Sequence, residues 1–338
     1  MKKTIFLFFS FVVIASAARA PKLQKLRVYL DWISNVEFAG MYTAEEQGLY
    51  AKRGLKIERI FKDLSIIERV CNKEAEVGLV SAHDLFDVKK NYCGAKAFAA
   101  KYQLNPNSIV VPMSSKIKSI KNLKGKKLGI FSTNETNMYR AMLSYHGLTL
   151  DDVTLVEVDT FDESEIIELF KKNKIDAIIA WEFNWTITFS LLKFPVRVFP
   201  GYENGLNFYG IVYIARPDTI EKHSDLLVKF LESTFEGWRM VYKNPVKVAD
   251  HVVKNYYPSD RYINKSRELT LKQQKAELVL RKRYFLHGTD LHHIGVMNDL
   301  RWQQSFEVAK ETGFLTFKNN PQPQQFYTKE IIQRLYPQ

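Results

Sequence analysis

The feature that most constrains this chain is an alternation, made twice, of short β-branched runs with longer amphipathic stretches. Segments 26–30, 56–61, 76–80 and 108–113 read as strands, with helices at 36–52 and 65–73 between them. A second series follows, with strands at 127–131, 153–158, 176–180 and 196–199 and helices at 135–146 and 164–172. Strands separated by helices at this spacing predict an α/β fold of two lobes, each a largely parallel sheet built from βαβ units. After a strand-like stretch at 209–215, residues 220–314 are mostly helical by period, as in Leu226, Leu227, Phe230, Leu231, Phe235 and Trp238. Packing these helices back on the first lobe is the economical arrangement. It requires two crossings between lobes, near 110–115 and 208–215, which together make a two-segment hinge. The expected division is lobe I from 18–112 and 212–338, lobe II from 113–211, and an irregular tail after Gly313.

Length agrees with two lobes, because 338 residues exceed the roughly 250–300 at which a single core stops growing. The net charge of +12 raises the question of nucleic acid, but Lys and Arg are spread along the chain without a dense basic block. No nucleic-acid partner is therefore expected. The chain opens with Lys2 and Lys3, an apolar run from Ile5 to Ile14, and small residues Ala15 to Ala18. That pattern predicts a secretory signal peptide over 1–17 and a periplasmic location for the mature protein. No later apolar run reaches the 18 or so residues of a membrane span. Cys71 and Cys93 are the two cysteines; an oxidising compartment permits a bridge between them, and two separate buried thiols fit the sequence equally.

In open parallel sheets, ligands bind beyond the carboxyl ends of the strands. That rule selects Asp31, Trp32, Asn35, Glu37, Phe38 and Tyr42 after the first strand, and Ser81 and His83 after the third. In the second lobe it selects Ser132, Thr133, Asn134 and Glu135, then Trp181, Glu182 and Asn184. Tyr209, near the second crossing, completes the set. Aromatic walls with a few oriented polar groups make a small-molecule cleft, and planar residues such as Trp32, Trp181 and Tyr209 suit a flat ligand. Structural uses compete with each of these. Ser34-x-x-Glu37 and Ser132-x-x-Glu135 fit capping boxes, Trp181 fits a lobe core, and His83 fits a satisfied buried histidine.

Enzymatic signatures are missing: the sequence has no G-x-S-x-G, H-E-x-x-H, C-x-x-C, phosphate-binding loop or dinucleotide fingerprint. His287, His292 and His293 lack metal-ligand spacing and read as solvated loop histidines. No cofactor, metal or catalytic residue is expected.

Five segments carry a family likeness: DWISNVEFAGMYTAEEQGLYAKRGLKIE (31–58), EVGLVSAHDLF (76–86), SIKNLKGKKLGI with the downstream Glu135, FLESTFEGWRMVYKNP (230–245) and IGVMNDLRW (294–302). In this order they resemble the thiamine-precursor type of ABC-transporter substrate-binding proteins, whose eukaryotic relatives synthesise the thiamine pyrimidine. The resemblance implies a type II periplasmic binding protein fold that closes on its ligand by a hinge. It places pocket positions at Asp31, Trp32, Phe38 and Tyr42, with the 132–135 loop and the 181–184 segment opposite. The pyrimidine-making branch carries a cysteine-rich segment, which this chain lacks. Two departures bear on the ligand: Asn72-Lys73-Glu74-Ala75-Glu76 replaces a glycine-acid pair, and His83 stands where small residues are common.

The resulting expectation is a monomeric solute-binding protein that delivers a small heteroaromatic ligand, such as a thiamine pyrimidine precursor, to an inner-membrane permease. Trp32 and Tyr209 are the expected stacking surfaces, and Asp31, Glu135 and Glu182 the expected acceptors for exocyclic amines. The alternative is a ligand sensor of the same fold acting on a membrane-bound kinase or cyclase. An exported enzyme using His83 and Asp84 as an acid–base pair is a third reading, for which the sequence offers no accompanying nucleophile.

Overall fold

The computed structural model describes residues 23–61, 65–315 and 321–337; the expected signal peptide lies outside them. Ten strands form two five-stranded sheets. The first contains β1 (Gln24–Leu30), β2 (Leu55–Phe61), β3 (Val77–Ser81) and β4 (Lys96–Ala100). The second contains β5 (Asn107–Pro112), β6 (Lys127–Ile130), β7 (Thr154–Glu157), β8 (Ala177–Trp181) and β9 (Val196–Pro200). A tenth strand, β10 (Ile211–Ala215), returns to the first sheet.

The strand orders are β2-β1-β3-β10-β4 and β7-β6-β8-β5-β9. In each sheet four strands run in one direction, and the fourth in the order is antiparallel to both of its neighbours. That antiparallel strand is the first one the chain lays down after crossing from the other lobe. The expected alternation is therefore present in both halves, with one displacement. The run at 108–113 belongs to β5 in the second sheet, so the first crossing occupies residues 101–106, not 110–115. A β-branched run announces a strand without saying which sheet it joins. The two crossings touch, because Gly210 N–H donates to Tyr102 O at 3.0 Å.

Strand β4 had no sequence signal, since KAFAA offers small residues where β-branched ones mark a strand. Its outer edge is covered by the segment read as irregular tail. Ala97 N–H donates to Phe326 O at 2.9 Å, Thr328 N–H donates to Ala97 O at 2.8 Å, and the helix Glu330–Leu335 follows. Covering an edge in this way blocks pairing with foreign strands.

The expected helix at 36–52 is divided into a short turn at Val36–Phe38, a helix at Ala39–Glu46 and another at Leu49–Lys52. Gly48, at φ 66°, interrupts it in the left-handed region that favours glycine. The helix Ala39–Glu46 crosses the long helix Ser224–Val241 where Gly40 meets Gly237, so closely that a Cβ on Gly237 would collide with the Gly40 carbonyl oxygen. Two of the sequence segments that carry the family likeness thus pack against each other. Of the later helices, Arg267–Leu286 and Asp299–Thr312 also reach lobe II, against Glu182–Leu191 and Thr133–Tyr145. They do not serve lobe I alone, because they run past the hinge. Cys71 and Cys93 are joined by a disulfide with Cα atoms 5.3 Å apart, which ties the helix Ile66–Cys71 to the approach to β4.

Candidate functional site

A cavity of about 1250 Å³ opens between the lobes at the carboxyl ends of the parallel strands. This exceeds the roughly 300–1,000 Å³ of typical ligand clefts and leaves room for the lobes to close. From lobe I it is lined by Asp31, Trp32, Asn35, Glu37, Ser81 and His83; from lobe II by Glu135, Trp181 and Asn184.

At its base lies a buried charged network. Glu37 is 1 % exposed, and its carboxylate accepts from Lys101 Nζ at 2.6 Å and from Tyr102 OH at 3.0 Å. Arg281 Nη1 stands 3.3 Å from the same oxygen, and the guanidinium also pairs with Glu277 and donates to Tyr102 OH. Glu277 in turn accepts from Gln273 at 2.6 Å and from Asn184, across the cleft in lobe II, at 3.0 Å. Lys101 and Tyr102 belong to the first crossing. The hinge and the floor of the cleft are therefore one structure.

The charges of this network are not balanced evenly. Burial opposes ionisation of Glu37, but Lys101 and Arg281 hold its carboxyl below the usual range. Burial, with repulsion from Glu37, raises Asp31 to about 7 and Glu277 to about 8. Asp31 Oδ1 is shut off from solvent and has no hydrogen-bond partner among the described residues, which leaves its capacity to accept a donor unused. His83, 3 % exposed, has an unpartnered Nδ1, and burial lowers its pKa against the pull of Asp84 and Glu135.

The lobe II wall is aromatic. Phe131 stacks on Phe161 at 4.4 Å between centroids and meets the edge of Trp185 at 5.7 Å, and all three line the cavity with Trp181. Trp32 faces it from lobe I with 51 % of its surface exposed. An indole so uncovered at a cleft mouth has its stacking face available.

Several expected site residues lie elsewhere. Tyr209 is a core residue: its OH accepts from Asn298 N–H at 2.7 Å, its ring packs 5.5 Å from Trp302, and it does not line the cavity. Phe38 and Tyr42 are also buried in lobe I, Phe38 under Lys101 Nζ at 4.7 Å and Tyr42 stacked on Tyr256 at 4.1 Å. Both sit on the turn and helix that follow β1, on the side facing the core. Glu182 points away from the cavity lining and lies 3.4 Å from Ser108 Oγ. Ser132 is exposed and donates to Glu135 at 2.5 Å; the side chains of Thr133 and Asn134 lie outside those described. At the first helix start Asn35, not Ser34, caps, accepting from Glu37 N–H at 2.7 Å, so Glu37 is released to the ion network.

Sequence reasoning missed Lys101, Gln273, Glu277 and Arg281. The last three recur every fourth residue along the buried face of the helix Arg267–Leu286, and that polar stripe was the available signal. It also missed the stretch 257–264, whose Tyr257, Arg261 and Tyr262 line the outer cavity. Among the described residues no group of three or more His, Cys, Asp or Glu is placed to hold a metal.

Two sheets of this order joined by a double crossing, with a cleft between them, define the type II periplasmic binding protein fold of ABC-type substrate-binding proteins. The periplasmic aliphatic sulphonate binding protein SsuA of Escherichia coli is similar in structure over 93 % of this chain and 99 % of that one, with a TM-score of 0.65 and 18 % identity. Residues 35–248 match the family described as NMT1/THI5 like, and the chain belongs to that family. A Haemophilus influenzae protein named for thiamine biosynthesis is 29 % identical over 165 residues, 46 % of this chain and 51 % of that one. The riboflavin-binding protein RibY of Chloroflexus aurantiacus is 19 % identical over 236 residues, 68 % of this chain and 66 % of that one. The chain thus matches between half and two thirds of the length of these relatives.

Proposed function

We propose that this chain is the solute-binding component of an ABC importer, exported to the periplasm as a monomer, which captures a small flat heteroaromatic ligand and presents it to an inner-membrane permease without chemical turnover. The observation that carries this reading is the pairing, at one cleft, of an exposed Trp32 and an unpartnered Asp31 oxygen with an aromatic wall on the opposite lobe. A flat ring stacked on Trp32 presents its exocyclic amine to Asp31, and closure brings Trp181 and Trp185 to its other side. Binding then shifts the population toward the closed form, because only that form makes both sets of contacts. Relatives named for thiamine biosynthesis and riboflavin binding support a heteroaromatic ligand, and a thiamine pyrimidine precursor is one that brings an exocyclic amine to the Asp31 acceptor.

Calorimetry against thiamine pyrimidine precursors and flavins tests the reading. Binding is expected for at least one, with an affinity about tenfold lower in Trp32→Ala, as loss of one stacking face predicts. Absence of binding across the panel, or full affinity in Trp32→Ala, overturns it.

A further inference from the structure

The cleft has a charge opposite to that of the whole chain. On a protein of net charge +12, ten carboxyl side chains line the cavity against Lys90, Arg261 and Arg281. Arg281 is already engaged by Glu37 and Glu277, and the nearby Lys101 by Glu37, so the base offers no unused cation. The opposite wall adds Glu135, Asp159, Asp162 and Glu163 from lobe II. Acidic side chains therefore face one another across the space that closure would narrow.

Resting on the solute-binding reading, we infer that the ligand of this cleft is an organic cation: a flat ring system bearing a positive charge, held between indole faces and carboxylates. Three independent features converge on it. Glu37 and Glu277 are paired by Lys101 and Arg281, and Asp31 and Glu163 are raised to about 7; the other lining carboxylates, on both lobes, repel one another on closure unless a positive charge enters between them. The walls supply Trp32, Trp181 and Trp185, and indole faces attract cations through the ring quadrupole. The buried polar atoms left without partners include two acceptors, Asp31 Oδ1 and His83 Nδ1. His83 Nε2 lies 3.5 Å from Asp84 Oδ1, so its proton faces that carboxylate and Nδ1 is left to accept. A cation near Asp31 also offsets the burial and the repulsion from Glu37 that together raise its carboxyl to about 7. Sulfonates, for which the structurally similar SsuA is named, carry the wrong charge for such a site.

The test titrates the full chain, by tryptophan fluorescence and calorimetry, with three probes: thiamine, whose thiazolium is permanently charged; its neutral pyrimidine half, 4-amino-5-hydroxymethyl-2-methylpyrimidine; and an aliphatic sulfonate. Thiamine is expected to bind about tenfold or more tightly than the neutral ring, to weaken more steeply with salt, and the sulfonate not to bind. Asp31→Asn should cost the cation about tenfold and the neutral ring much less. Asp159→Asn, an exposed rim substitution that leaves the core untouched, should cost the cation about twofold. Neutral binding as tight as or tighter than cation binding overturns the charge inference and leaves the heteroaromatic reading standing. Failure of both ring probes to bind overturns the charge inference and leaves the heteroaromatic reading to the flavins, and preferred binding of the sulfonate overturns both.

Discussion

The two lobes share one strand order and differ in what surrounds it. At equivalent edges of the two sheets, β4 of lobe I is buried in all but its first residue, under the C-terminal segment, whereas β9 of lobe II is only half-buried throughout. The inner strands β3 and β10 of lobe I and β8 and β5 of lobe II are alike, each buried in all but at most one residue. Lobe I also carries the disulfide, the glycine-to-glycine helix crossing and most of the buried ion network. The contrast makes lobe I a rigid platform that fixes the polar floor of the cleft. Lobe II is a lighter jaw that contributes the aromatic wall and, in the proposed closure, moves on the two crossings, 101–106 between β4 and β5 and 201–210 between β9 and β10, the second ending where the expected 208–215 becomes β10 itself. Such a division suits a clamp, because the groups that orient a ligand sit on the part that does not have to move.

The largest expected effect falls on the platform. Replacing Cys71 and Cys93 together by serine opens a bridge between positions 22 apart and should lower the unfolding free energy by about 3 kcal/mol through release of chain entropy. Denaturant titration of oxidised and variant proteins measures it. An unchanged midpoint would mean that the unfolded chain is already restrained across this segment without its bridge. Next in size is a pair of glycines. Gly237→Ala forces apart the helices Ala39–Glu46 and Ser224–Val241 against backbone, at a cost of about 1–3 kcal/mol. Gly129→Ala in β6 of lobe II meets only the tip of Val158 at 3.2 Å and should cost less than about 1 kcal/mol. Equal losses in the two variants, read from thermal melts, would break the contrast between platform and jaw.

How much of this was legible follows from what sequence patterns encode. The parallel strands of both lobes announce themselves by β-branched runs, and the strand-end rule brings Asp31, Trp32, His83, Glu135 and Trp181 to one cavity. Strand β4 is silent because its small residues pack under the C-terminal segment, a contact between positions more than 200 apart. Distance in sequence also hides the ion network, where Glu37, Lys101 and Arg281 meet only after three elements have assembled. Tyr209 shows the converse error. An aromatic residue beside a crossing looks like a ligand wall, yet here Asn298 and Trp302, from the turn and helix that follow the long C-terminal helix, claim it for the core.

The smallest expected effect is on the pH dependence of stability, and it separates the jaw from the platform. Glu163 of lobe II is raised to about 7, chiefly by burial, with repulsion from Asp162 adding to it. A carboxyl raised in the folded state binds more protons there than in the unfolded chain, so its contribution is full below its ordinary value of 4.5 and lost as pH rises through about 7. Asp31 and Glu277 act in the same direction from the floor of the cleft. These three carboxyls should therefore cost the ligand-free protein stability between about pH 5 and pH 8, against His83, whose lowered pKa acts the other way up to its ordinary value of 6.5. Glu163→Gln keeps the shape and removes the titration, so it should make that slope shallower without abolishing it, since the two floor carboxyls remain. Denaturant midpoints at a series of pH values give the slope directly. A slope unchanged in Glu163→Gln would place all of the proton linkage on the platform. Complete loss of the slope would place it on the jaw, and would mean that the carboxyls of the floor are already held by Lys101 and Arg281 before any ligand arrives.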